Sequence, residues 1–291
     1  MPEAIGLRFH EDAAFFRAAV NFTAAQTGFA PRLIEKDYFC SVVLQYLAEA
    51  VPALVFKGGT CLAKVHLGFY RMSEDLDFVI SMPVDATRAE RSRNAADPKQ
   101  AVAIIGKQLS GLRVVSPLAG ANASRQYVGV IGYTSLLGSR EETVNIEVGL
   151  REPVLTSVGR GEAQTLLLEP ISGAPVVPSV PVPCLSREEA IAEKLRAALS
   201  RRDVAIRDFY DLDHAVRRLG LHLRDSQLLE LLRQKLAVPG NDPVDASPAR
   251  LAALTPQLDS RLKPVLRDHE FAEFDLERAF TAVAEVAAAL S

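Results

Sequence analysis

Asp75 and Asp77 stand out as residues that could do chemistry. They flank Leu76 in the run Asp75-Leu76-Asp77-Phe78-Val79-Ile80, whose apolar end predicts a buried strand. Side chains alternate along a strand, so both carboxylates share one face while Leu76 and Phe78 take the other. Two like charges on one face repel unless a cation lies between them. Upstream, Leu54-Val55-Phe56 predicts a second short strand, followed by Lys57-Gly58-Gly59-Thr60 and an apolar stripe at helical spacing (Leu62, Val65, His66, Phe69). Glycines let the backbone come close to a phosphate, and the helix start after them offers free N–H groups and a positive dipole end. A phosphate cradle followed by a same-face carboxylate pair suits metal-assisted phosphoryl transfer. Taken singly, Gly-Gly-Thr reads as a turn and Asp-x-Asp as a solvated strand end. Their order, with a helix between them, carries the reading.

A third carboxylate is available downstream. In Val144-Asn145-Ile146-Glu147-Val148, period 2 sets Glu147 and Asn145 on the face opposite the aliphatics. Glu147 completes a three-carboxylate site if its strand lies beside that of Asp75 and Asp77. Spacing alone leaves this adjacency open.

The segments around these groups carry readable patterns. Residues 9–27 carry apolar groups at helical spacing and stop at Gly28; Pro31 opens a second helix running to Val51-Pro52. Glu35, Lys36 and Asp37 lie in its first turns, where a solvated face with acids near the N-terminus is one account of them. Residues 82–100 read as a polar, basic loop and residues 101–109 as a helix. Arg88, Arg91, Arg93, Lys99 and Lys107 fit either a solvated charged surface or a contact for a polyanion. Leu112–Val115, Tyr127–Tyr133 and Thr143–Leu150 predict antiparallel strands, and the proline-rich 169–183 predicts an extended linker. Everything beyond reads as helix. Ser186 and Glu189 form a capping box there, and Ile191, Leu195 and Leu199 form a core stripe flanked by Lys194. In the next helix Phe209, Leu212, Val216 and Leu219 make the stripe, with Asp208 and Asp211 sharing a flank. A structural pairing of Lys194 with Asp208 is one account of these charges.

The totals bound the class. At 291 residues the chain suffices for two units with their own cores. Composition, 48% hydrophobic and 24% charged, describes a folded soluble protein. No apolar run approaches the ~18 residues that span a bilayer, and the N-terminus has no signal-peptide pattern. Cys40, Cys61 and Cys184 are widely spaced in apolar patterns and read as reduced packing residues, which points to the cytoplasm; no His/Cys pair has zinc-ligand spacing. The net charge of −3 requires any positive potential for RNA to be local.

KGGT followed by YRMSEDLDF resembles the AbiEii/AbiGii toxin family of nucleotidyltransferases, to which the MenT toxins are related, within the polymerase-β-like superfamily. Glu35-Lys36-Asp37-Tyr38 is similar to the family's N-terminal EKDY helix. Ala192-Glu193-Lys194-Leu195 with Arg207-Asp208-Phe209-Tyr210-Asp211-Leu212 resembles its C-terminal AEKL and RD-x-YDL pair. The likeness touches residues from about 31 to 216; segments 82–140 and 220 onward carry no family motif.

The resemblance implies an α+β fold, with a polymerase-β-like core built on a mixed sheet over residues 1–180 and a helical bundle over 181–291. It implies that Asp75, Asp77 and Glu147 hold two Mg2+ ions. Lys57, Gly58, Gly59 and Thr60 then cradle the triphosphate, and Arg71 and Ser73 orient phosphates or base. Lys194 binds the β/γ-phosphates, Asp208 orients Lys194 or receives the acceptor, and Asp211 joins the nucleotide-binding set. The implied activity is transfer of a nucleoside monophosphate from an NTP to the 3′ end of tRNA, blocking translation. The setting is a bacterial toxin–antitoxin or phage-defence pair, with a cognate antitoxin as partner and no membrane. A small-molecule nucleotidyltransferase of the aminoglycoside-modifying kind uses the same motif chemistry, and a nucleotide-binding regulator without turnover uses the same fold.

Overall fold

Asp12 starts the first helix, its carboxylate accepting the amides of Ala14 and Phe15, and α1 runs Ala13–Thr27 until Gly28 adopts a left-handed φ of 78°. Pro31 begins α2, Pro31–Ala50. This helix is buried along most of its length, polar residues included, because it lies on the sheet that follows. The computed structural model describes residues 7–290.

Among the described residues, seven strands form one mixed sheet. They are β1 (Val55–Lys57), β2 (Asp75–Val79), β3 (Leu112–Ala121), β4 (Gln126–Thr134), β5 (Glu141–Gly149), β6 (Gly159–Ala163) and β7 (Val180–Cys184). Their order is β3-β4-β5-β2-β1-β7-β6. The β3-β4-β5 meander is antiparallel, as the glycine-punctuated runs predict, but β5 joins β2 in parallel and β7 joins β1 in parallel. Phe56, Leu76, Phe78, Val144, Ile146 and Val148 are buried, and rings of Phe56 and Phe78 meet at 5.6 Å. Near the start of α2, Phe39 stacks on Tyr133 at 4.0 Å and Tyr38 meets Phe16 edge-on at 4.9 Å. Each such buried ring contributes about 1.5–3 kcal/mol.

Several local expectations are corrected. The helix after β1 begins at Gly58 itself: α3 (Gly58–Cys61) continues as a π turn, Leu62–His66, and Phe69 lies beyond it. The polar stretch after residue 82 is largely helical, as α4 (Arg88–Asn94) and α5 (Ala96–Gln108), because Thr87 and Glu90 form a reciprocal capping box. The end of the proline-rich segment is β7, inside the sheet between β1 and β6.

The chain divides into two units, one of Met1–Val154 and Val158–Cys184, the other of Leu155–Ser157 and Leu185–Ser291. Residue 180, the expected boundary, is the first residue of β7. The second unit is helical: α6 (Arg187–Ser200), α7 (Ile206–Leu219), α8 (Ser226–Leu236), α9 (Pro248–Leu254), α10 (Asp268–Glu273) and α11 (Leu276–Leu290). α6 packs on α7 and α8, and Phe209 of α7 stacks on Phe280 of α11 at 5.8 Å. Ile191, Leu195, Leu199, Phe209 and Leu212 are buried as their spacing predicts, whereas Leu219 is exposed past the end of that packing. Ser186 caps α6 by accepting the Glu189 amide, but the Glu189 carboxylate does not return to Ser186's backbone. It accepts the amides of Leu155 and Thr156 and pairs with Lys235 at 2.7 Å, a stronger set of partners in a buried position. No helix among the described residues is long and apolar enough to cross a membrane.

Candidate active site

The adjacency that spacing left open is settled by the sheet. β2 and β5 pair in parallel with Asp75 opposite Asn145 and Asp77 opposite Glu147. Register partners in neighbouring strands point to the same side. Asp75, Asp77 and Glu147 therefore share one face, and Asn145 donates to Asp75 Oδ1 at 2.8 Å. Antiparallel pairing of β1 with β2 sets Lys57 opposite Asp77. A row Lys57, Asp77, Glu147 thus crosses three adjacent strands, all half-buried, while Leu76, Phe78 and Ile146 anchor the opposite face. Sequence reasoning placed Lys57 near the site only by its nearness to the glycines; the register makes it a direct neighbour of a carboxylate.

The glycine turn is built against these residues. Gly58 holds a φ of +76°, and a side-chain carbon there would collide with Asp77 Oδ2. A side-chain carbon at Gly59 would collide with Arg71 Nη2 and lie 3.3 Å from Ser73 Oγ. Thr60 bonds to Ser73 Oγ at 2.8 Å and to the carbonyl of Asp75. No side chain caps the amides at the start of α3. The turn is clasped to the strand bearing the carboxylates. Arg71 is 2% exposed and gives Nη1 to the Met72 carbonyl at 3.0 Å, so the structure places it behind the turn as a brace. Gly58→Ala is expected to lower turnover at least about a hundredfold, since displacement of a reacting group by about 1 Å has that cost. Steady-state kinetics beside a thermal melt check this; near-normal turnover would show that the close approach of Gly58 to Asp77 is dispensable.

Glu35, Lys36 and Asp37 are not a solvated face. All three are buried, each on a different partner. Glu35 accepts from Ser135 Oγ at 2.6 Å and the Leu136 amide at 2.7 Å. Lys36 pairs at 3.0 Å with Glu74, the residue before Asp75. Burial alone would raise the Glu74 carboxyl, but the charges of Lys36 and Arg32 outweigh it and hold the group below the ordinary value. Asp37 pairs with Lys64, in the π turn, at 2.5 Å. Start of α2, π turn and β2 are thereby locked in one arrangement.

In the helical unit, Lys194 Nζ lies 2.8 Å from both Asp208 Oδ1 and Asp211 Oδ2. Asp208 and Asp211 are buried, and Asp208 Oδ2 has no hydrogen-bond partner. The α6–α7 packing brings the three expected residues into one ion cluster, with Arg201 Nη1 3.7 Å from Asp208 Oδ2. Lys194→Ala leaves two buried carboxylates together and is expected to cost about 3 kcal/mol or more of stability. Lys194→Arg keeps the charge and is expected to hold the urea midpoint. A midpoint in Lys194→Ala equal to wild type would remove the structural role.

The donor set on the sheet face is three carboxylates, all oxygen, beside partly exposed backbone. Hard oxygen donors suit Mg2+, so the residues present fit the ion that the resemblance implies. Arg88, Arg93, Lys99 and Lys107 on α4 and α5 are exposed, whereas Arg91 is buried and bonds to the Val84 carbonyl. Four of the five basic residues in this segment are thus exposed, alongside the exposed acids Asp85 and Asp97, in a chain of net charge −3.

A family model described as nucleotidyl transferase AbiEii toxin, type IV TA system, matches residues 43–286. Among solved structures, the MenT4 nucleotidyltransferase toxin of Mycobacterium tuberculosis aligns with a TM-score of 0.60 at 21% identity, covering 94% of this chain and 97% of its own. JHP933 from Helicobacter pylori aligns with a TM-score of 0.52 at 17% identity, covering 90% and 93%. No curated protein sequence matches the chain. At these identities the structural likeness establishes the fold; the family rests on the sequence match.

Proposed function

Because the chain belongs to the AbiEii family of nucleotidyltransferase toxins from type IV toxin–antitoxin systems, we propose that it moves a nucleoside monophosphate from an NTP to the 3′ end of tRNA in a Mg2+-dependent reaction. The observation that carries this reading is the single face holding Lys57, Asp75, Asp77 and Glu147, with Gly58 pressed against Asp77.

The residues divide the work by charge. Amides at the start of α3 and the Thr60 segment receive triphosphate oxygens, and Lys57 offsets their charge. Asp75, Asp77 and Glu147 would hold Mg2+, which when bound would neutralise the phosphate oxygens and favour attack at the α-phosphorus. Asn145 keeps the Asp75 carboxylate aimed. The acceptor hydroxyl forms a new bond to the α-phosphorus as the bond to the β-phosphate oxygen breaks; pyrophosphate leaves, and Glu147 takes the hydroxyl proton. The family resemblance supports Lys194 as a further phosphate-binding residue, and its 2.8 Å pairing with Asp208 supports Asp208 as the group that orients it. An increased KM for NTP in Lys194→Arg at unchanged urea midpoint supports that role.

The resemblance to MenT toxins and the exposed basic residues of α4 and α5 support tRNA as acceptor. A cognate antitoxin is the proposed partner, and the bacterial cytoplasm the proposed setting. Total bacterial tRNA is incubated with Mg2+ and each α-labelled NTP in turn. Label entering tRNA with one NTP, absent in an Asp77→Ala control, supports the reading. No label in tRNA, with pyrophosphate released only in the presence of an aminoglycoside, would transfer it to a small-molecule acceptor.

A further inference from the structure

Away from the carboxylate face, three ligand-type side chains meet in the first unit. Cys61 ends α3, His66 ends the π turn, and Cys184 ends β7. One Sγ, one ring nitrogen and the second Sγ all lie within 4.8 Å of one another. Local spacing hides this group, because Cys184 arrives through the sheet: β7 pairs in parallel with β1, setting Cys184 opposite Phe56.

Two features of the backbone are shaped to this cluster. In an α-helix, residues five apart point about 140° away from each other. Leu62–His66 instead forms a π turn, with the Leu67 amide bonded to the Leu62 carbonyl at 2.8 Å. The wider turn brings residues five apart back toward one face, and His66 returns toward Cys61. Such turns are rare and recur at functional sites. The second feature is Gly161 on β6. A side-chain carbon there would lie 2.8 Å from Cys184 Sγ and 2.5 Å from Val65 Cγ1, so glycine lets this strand pass directly over the sulfur. The Gly161 backbone thus lies against the Cys184 sulfur, where its amide can donate to it. Outer hydrogen bonds of this kind orient thiolate ligands.

We infer that Cys61, His66 and Cys184 form a zinc site distinct from the carboxylate face. Two thiolates and an imidazole are the borderline-soft donors zinc takes, and they contrast with the all-oxygen set of Asp75, Asp77 and Glu147. Three protein ligands leave a fourth tetrahedral position. Cys61 and Cys184 are buried while His66 is half-buried. Cys61 directly follows Thr60. Zinc here ties the end of α3 to β7 and holds the glycine turn from behind.

The test uses the full chain, reduced, stripped with a chelator and titrated with Co2+. A sulfur-to-cobalt charge-transfer band saturating at about one equivalent, with tetrahedral d–d bands, is expected. Zinc should displace it. Cys184→Ser should lose most of the charge-transfer intensity, and His66→Asn, at a half-buried position, should weaken Co2+ at least about tenfold. Asp77→Ala should leave the band unchanged, because oxygen ligands give no such transition. Absence of the band in wild type, or a band and affinity unaltered in both Cys184→Ser and His66→Asn, overturns the site. Because the readout is spectroscopic, its failure is separate from failure of the transferase reading.

Discussion

Asp77→Ala is expected to lower nucleotidyl transfer by at least about a thousandfold, with the fold retained. Asp77 is the residue on which the site's contacts converge: Lys57 on one side, Glu147 on the other, and Gly58 against its carboxylate. Loss of charge stabilisation at the reacting phosphate is worth several kcal/mol, and each 1.36 kcal/mol is tenfold in rate. The side chain is half-buried on an open face, so truncation leaves no sealed cavity, and a change of less than about 1 kcal/mol in unfolding free energy is expected. The checking measurements are label transfer under single-turnover conditions and a urea melt on the same preparation. Loss of activity together with a collapsed melt would say nothing of chemistry, so Asp77→Asn, which keeps volume, accompanies it. A rate within tenfold of wild type in both variants would move the reacting centre away from this face. In cells the same variant should abolish any growth arrest caused by the wild-type chain.

What was legible beforehand follows from what is local. Period 2 in Asp75–Phe78 and in Val144–Val148 places each carboxylate on the correct face of its own strand, because alternation is a property of a single strand. Which strands lie side by side depends on the crossover from β2 to β5, and no single segment encodes that. The glycine turn was readable as permissive backbone, but that Gly58 must be bare because Asp77 lies against it is a tertiary fact. Residues 82–100 were misread because their charges resemble a loop, while the Thr87–Glu90 capping box was the signal that could have found α4. Prolines misled at β7 in the same way. Pro181 and Pro183 read as linker, yet the strand tolerates them between two partners because its pairing to β1 is confined to Cys184. The cluster of Cys61, His66 and Cys184 had no local signature, since its third member lies on a different strand and a π turn moves the second.

Asp37→Ala carries the largest expected effect on stability. Asp37 and Lys64 are 2% and 1% exposed and lie 2.5 Å apart. Lys64 also donates to Ser41 Oγ at 2.8 Å and the Gln164 carbonyl at 3.2 Å, and Asp37 Oδ2 accepts the Leu166 amide at 3.2 Å. Removing the carboxylate strands an ammonium group in the interior and deprives a backbone amide of its acceptor. Breaking a buried pair from one side costs about 3–5 kcal/mol, mostly the penalty of the abandoned charge. A urea midpoint lowered by that free energy divided by the slope, at unchanged slope, is expected. The double variant Asp37→Leu with Lys64→Met removes both charges and should recover most of the loss, because a buried ion pair contributes little over apolar residues of similar size. Activity should not recover with it. Lys64 sits in the π turn directly after the glycines, and Lys36, next to Asp37, pairs with Glu74 just before Asp75. The ion pairs of α2 fix where the turn and the carboxylate strand stand relative to each other, a directional constraint that leucine and methionine do not supply. Full recovery of both midpoint and turnover in the double variant would reduce the buried pair to packing. A loss below about 1 kcal/mol in Asp37→Ala would show that Ser41 and the Gln164 carbonyl alone suffice to hold the lysine.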